Sequence, residues 1–161
     1  MAAKLKKSRL TGGVLAAAVA LTGGYEGLRT VAYRDPIGIP TICFGETRGV
    51  RMGDRATADQ CRILLGSRLR EFEAGMVACL DRPESIPDGA YIAALDLTYN
   101  IGTGAFCKST LRRKLNAGDI AGACEEFPRW NKAGGVEWPG LTRRRAEERE
   151  LCRAGFKGAG A

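Results

Sequence analysis

Six cysteines, Cys43, Cys61, Cys79, Cys107, Cys124 and Cys152, stand almost evenly along this chain and restrict its possible folds more than any other feature. None forms a CxxC pair and there is no histidine, so the clustered ligands of a zinc site are missing and neither a metal nor another cofactor is expected. An even cysteine count reads as disulfides formed in an oxidising compartment; buried free thiols of a cytosolic protein are the alternative. Six cysteines admit fifteen pairings, and their positions alone select none.

The segment ahead of the cysteines supports export. Residues 1–9 carry Lys4, Lys6, Lys7 and Arg9, while residues 10–25 carry no charge. A basic flank before an apolar run is the pattern of an export signal, with the positive end retained in the cytoplasm. Sixteen helical residues span about 24 Å, short of the ~30 Å hydrocarbon core, and this run is rich in Ala and Gly. Three readings compete: a signal peptide cleaved at Ala18-Val19-Ala20, an uncleaved segment that holds the membrane poorly, and an Ala-rich core helix over residues 14–22.

The remainder, within a total of 161 residues at 45% hydrophobic content, suffices for one core. From Thr30 to Val50, β-branched residues broken by Pro36, Gly38, Pro40, Gly45 and Gly49 predict a small irregular antiparallel sheet. Gly45 and Gly49 serve turns, since the Lys-Ser/Thr of a phosphate cradle is missing. Thr57-Ala-Asp-Gln60 predicts a capping box, and Ile63, Leu65, Leu69, Phe72 and Met76 continue it as a helix over about 58–80. A second helix runs from Asp88 to Tyr99, stopped by Gly102 and Gly104. Shorter helices are expected around 108–116, from the N-cap Asp119, and over about 141–155. The layout is α+β: mostly helical, with one small sheet near the N-terminus.

At the junction of the uncharged run and the sheet stand Glu26, Asp35 and Thr41. Two carboxylates and a hydroxyl around a Gly/Pro-rich turn supply what glycoside hydrolysis needs, an acid for the leaving oxygen and groups to place water. Twenty-five Lys and Arg against eighteen Asp and Glu give a net charge of +7, which favours nucleic acid, anionic lipid or cell wall as partner. No nucleic-acid recognition motif accompanies that charge.

Glu26-Gly-Leu-Arg, Tyr33-Arg-Asp35 and Pro40-Thr-Ile-Cys-Phe-Gly-Glu-Thr47 together resemble the active-site stretch of the phage-type lysozymes, the glycoside hydrolases of phage endolysins. Tyr99-Asn-Ile-Gly, Phe106-Cys-Lys-Ser-Thr-Leu111, Lys114-Leu-Asn-Ala-Gly-Asp119, Gly122-Ala-Cys124, Arg129-Trp130 and Glu150-Leu-Cys152 resemble later blocks of that family in the same order. The resemblance implies a lysozyme-like fold and a monomeric muramidase acting on peptidoglycan strands. Glu26 maps onto the general acid, Asp35 onto the second carboxylate, and Thr41 onto the residue that holds water with it. Either Arg144 or Arg145 maps onto an arginine that pairs with the catalytic Glu. The matched blocks also imply the pairings Cys43 with Cys61, Cys79 with Cys107 and Cys124 with Cys152. Trp130 is expected in the core, Trp138 is left open between core and sugar stacking, and Tyr33 and Arg29 are expected to support the cleft.

Residues 1–25 resemble the N-terminal segment of signal-anchor-release endolysins. That likeness implies two regions, 1–25 as flank and signal anchor and 26–161 as catalytic domain. The enzyme would be exported, tethered to the inner membrane through residues 10–25, then released into the periplasm. The anchor contains no cysteine, which points to refolding rather than thiol exchange as the activating step. A cell's own wall-remodelling lysozyme and a non-catalytic wall-binding protein are the rival readings.

Overall fold

A computed structural model describes residues 6–157. The uncharged run forms α1 (Gly12–Glu26), followed by a hairpin of β1 (Arg29–Arg34) and β2 (Pro40–Cys43). The antiparallel register sets Tyr33 opposite Thr41 and Arg34 opposite Pro40. Helix α2 (Ala58–Ala78) starts at the expected capping box: the Gln60 amide donates to Thr57 Oγ1 at 3.1 Å, and the Thr57 amide donates to Gln60 Oε1 at 2.8 Å. Its core face carries Cys61, Leu65, Leu69 and Met76. Ile63, expected on that face, points outward and is 72% exposed, because two residues on a helix turn it about 200° from Leu65.

Helix α3 (Asp88–Ile101) is the axis of the molecule. Residues 89–98 are buried on every side, as suits a helix whose only charges beyond its first residue reduce to Asp96. It is flanked by α1, α2 and the terminal helix. The helix expected around 108–116 is α5 (Thr110–Asn116), and a further short helix, α4 (Thr103–Lys108), precedes it. Ser109 divides them: its backbone is extended and its Oγ accepts the Arg112 amide at 3.0 Å, starting a new helix. Helix α6 (Ile120–Cys124) begins at Asp119, whose Oδ1 accepts the Gly122 amide at 2.9 Å.

A second hairpin, β3 (Lys132–Ala133) with β4 (Val136–Glu137), adds to the one sheet expected. Its turn is Gly134-Gly135, with φ of 57° and 79°, the doubly positive geometry that a two-residue hairpin turn favours. Helix α7 (Pro139–Lys157) then returns across α3.

The three disulfides are those implied by the family blocks. Cys43–Cys61 fastens β2 to the first turn of α2, Cys79–Cys107 fastens the end of α2 to α4, and Cys124–Cys152 fastens α6 to α7, with Cα separations of 4.9, 5.7 and 5.6 Å.

In this conformation the uncharged run is a helix of the domain. Ala18 and Thr22 of α1 are buried against α2 and α3, and Leu10 ahead of it is fully buried. Among the described residues no helix is long and apolar enough to cross a membrane.

Candidate active site

Glu26 is the last residue of α1, and Gly27 ends the helix directly after it with φ of 74°, a left-handed turn that glycine adopts without strain. Its carboxylate is partly exposed, and Oε1 accepts from Arg144 Nη1 at 2.8 Å. Of the two arginines expected to compete for Glu26, the partner is therefore Arg144. Arg145 turns away, donating to Glu148 Oε1 at 2.7 Å and to Asn100 Oδ1 at 3.0 Å.

Arg144 is itself held from beneath. Its Nε and Nη2 donate to Asp96 Oδ2 and Oδ1 at 2.9 and 2.8 Å, a two-pronged pair, and Asp96 Oδ1 also accepts from Thr22 Oγ1 at 2.7 Å. Burial alone would raise the Asp96 carboxyl, but hydrogen bonds from Arg144 and Glu148, the Arg144 charge and the Thr22 hydroxyl overcome it and hold the group below its ordinary range. Burial pushes Glu148 the other way, and its hydrogen bond to Asp96 adds to the shift. Asp96, gripped by both prongs of Arg144, stays ionised, while the fully buried Glu148 keeps its proton.

Asp35 lies at the β1–β2 turn. Its Oδ1 accepts the amides of Ile37 and Ile39 at 3.0 and 2.8 Å, which orients the carboxylate and leaves Oδ2 without a partner among the described residues. Thr41 sits on β2, buried, and its hydroxyl donates to the Ile39 carbonyl at 2.9 Å. The hairpin thus brings Asp35 and Thr41 together around Ile39, while Glu26 ends α1 with only Gly27 and Leu28 between it and β1. No hydrogen bond joins the three directly among the described residues.

Asp96 and Tyr99 were not among the expected site residues. Tyr99 is raised to about 12, first by burial and then by the Glu26 and Glu46 charges, so its hydroxyl stays protonated. Asp96 had a legible signal: it is the one charge within the otherwise apolar interior of α3, and a buried charge requires a partner. Trp130 packs against the core as expected. Trp138 lies outside it, 56% exposed, with its indole donating to the Ala133 carbonyl at 3.3 Å. Arg29 stacks over the Tyr33 ring at 4.8 Å, in keeping with a supporting role.

A glutamate at the end of α1 is fixed by a buried arginine, and the hairpin that follows clamps a carboxylate in its turn. The phage lysozyme family model matches residues 23–148. The chain belongs to the phage lysozyme family. Membership makes it a lysozyme-type glycosidase, a muramidase of the endolysin kind. It is 38% identical to the SAR-endolysin of Enterobacteria phage P21 over 158 residues, covering 92% of this chain and 93% of that protein. A mutant P22 lysozyme superposes with a TM-score of 0.78 at 33% identity, covering 85% of this chain and 95% of that one. The active form of the P1 phage endolysin Lyz gives 0.77 at 26% identity, covering 91% of this chain and 86% of that one. Its secreted inactive form gives only 0.52 at 24% identity, over 67% and 76%. The fold described here is therefore nearer the active arrangement of that lysozyme.

Proposed function

We propose that this lysozyme is an exported endolysin that hydrolyses the β-1,4 bond between N-acetylmuramic acid and N-acetylglucosamine in peptidoglycan, acting as a monomer and inverting the anomeric carbon. Glu26 protonates the leaving oxygen. Asp35 stays ionised, stabilises positive charge on the sugar and, with Thr41, places the attacking water. Because the Thr41 proton is already given to the Ile39 carbonyl, Thr41 can only accept from that water. A water donating to Thr41 Oγ1 and to Asp35 Oδ2, which has no partner among the described residues, turns its lone pair toward the anomeric carbon, and as the new C–O bond forms Asp35 takes its proton.

The observation that carries this reading is the Asp96–Arg144–Glu26 chain, which fixes a carboxyl at the end of α1. The wild-type protein is expected to clear chloroform-treated Gram-negative cells and Glu26→Gln to lose at least about a hundredfold in rate. Equal clearing by the mutant would sink the acid assignment, and proton NMR of the first-formed anomer decides inversion against a covalent intermediate on Asp35.

We further propose the two-region division at residue 25, with residues 10–25 tethering the enzyme to the inner membrane until release into the periplasm. The uncharged run, its basic flank and the likeness to a SAR-endolysin support this. While α1 lies in lipid, its last residue cannot reach Arg144, so tethering withholds Glu26 from the site. Fractionation before and after membrane depolarisation tests it: intact protein moving from membrane to periplasm supports release, and a shortened soluble product from the outset supports signal cleavage instead.

A further inference from the structure

The basic flank does not trail from the folded domain. Glu73, in the last third of α2, is a carboxylate with 1% exposure, and two of its three hydrogen-bond partners come from the flank. Ser8 Oγ donates to Oε2 at 2.5 Å, the Arg9 amide donates to Oε1 at 2.8 Å, and the third partner, the buried Tyr91 hydroxyl on α3, donates to Oε1 at 2.5 Å. The Arg9 guanidinium lies over the Tyr91 ring at 4.2 Å, donates to the Pro83 and Ile86 carbonyls at 2.6 and 2.8 Å, and pairs with Asp88. Leu10 closes the seat and is fully buried. This cluster and Glu26 lie at opposite ends of the same helix, α1.

We infer that Glu73, Tyr91 and Asp88 form a lock that captures Ser8 and Arg9 after they have crossed the membrane, and that this capture makes release of α1, and with it the seating of Glu26, a stable state. The inference rests on the proposed tether. In the tethered form the flank is on the cytoplasmic side, so the domain presents Glu73 and Asp88 without Ser8 and Arg9. The membrane potential, negative inside, opposes outward passage of the flank's positive side chains. Once the potential falls, the flank arrives beside a buried carboxylate that otherwise accepts only from Tyr91, and the Ser8 hydroxyl and Arg9 amide supply the hydrogen bonds whose loss a buried acceptor makes costly. The lock also assigns the flank a role in the folded enzyme that a cleaved signal would not have.

Two substitutions in the full-length chain separate capture from charge. Arg9→Gln removes one positive charge from the flank, so if transit alone governed release the variant would leave the membrane more readily than wild type. The lock predicts the reverse: a soluble-to-membrane ratio after depolarisation at least about fivefold lower. Glu73→Gln leaves the flank charge untouched and is expected to lower the ratio similarly, with circular dichroism of the purified variant reporting its fold. Release of both variants at the wild-type ratio, or greater release of Arg9→Gln, overturns the lock while the tether stands. A wild-type chain already shortened and soluble before depolarisation overturns the tether and the lock together, leaving the muramidase reading to the clearing assay.

Discussion

Arg144 reaches Glu26 with one nitrogen and Asp96 with two, so the arginine belongs first to α3 and only then to the active site. Asp96→Asn keeps the shape of the side chain but removes the charge that opposes a buried guanidinium. The expected cost is about 3 kcal/mol, read from urea unfolding, with on the order of a tenfold fall in clearing rate as Glu26 loses its fixed partner. Glu148 makes a second prediction. Its carboxyl is pushed from the ordinary 4.5 up to about 10, first by burial and then by Asp96, so the folded protein holds a proton that the unfolded chain releases above pH 4.5. Its contribution to stability is therefore whole below that pH and is lost as pH rises toward 10, with a slope of at most about 1.4 kcal/mol per pH unit. Urea midpoints from pH 6 to pH 9 should fall less steeply in Glu148→Gln than in wild type; parallel falls would show that the proton sits elsewhere.

Among the elements, α3 and α7 make the tightest crossing. A Cβ on Gly89 would lie 2.3 Å from the Leu151 carbonyl oxygen, and one on Gly155 would lie 3.1 Å from the Gly89 amide nitrogen. Backbone meets backbone there, so a clash cannot be relieved by a side-chain rotation. Gly89→Ala is expected to destabilise by about 2–3 kcal/mol, measured as a lower urea midpoint, and to disturb the site because α3 carries Asp96 and α7 carries Arg144. The capping box at Thr57, the N-cap Asp119 and the glycine after α3 were all legible because each is a local signal between residues a few positions apart. The short helix α4 and the Gly134-Gly135 hairpin escaped that reading, because their segments are too short for periodicity to reveal them.

For the whole molecule, the disulfides and the flank act on the same balance. Cys124–Cys152 spans a separation of 28 residues, and its replacement by two alanines is expected to cost about 3–4 kcal/mol by the loop-entropy argument, checked by urea unfolding under non-reducing conditions. In the proposed tether, the work of carrying the flank outward stands against the folded state, about 2.3 kcal/mol per charge for each 100 mV of potential, which four basic side chains multiply. The order of the family blocks, the pairing they imply and the helix starts could be read in the sequence, and the trio Glu26, Asp35 and Thr41 could be proposed from it, because each depends on residue type at short range or on a matched pattern. Only the tertiary structure decided that Arg144 rather than Arg145 reaches Glu26, since adjacent helical residues point about 100° apart and only the packing of α7 on α3 sets which faces Asp96. It alone also seated Ser8 and Arg9 on Glu73, a contact across more than sixty residues that no local pattern encodes.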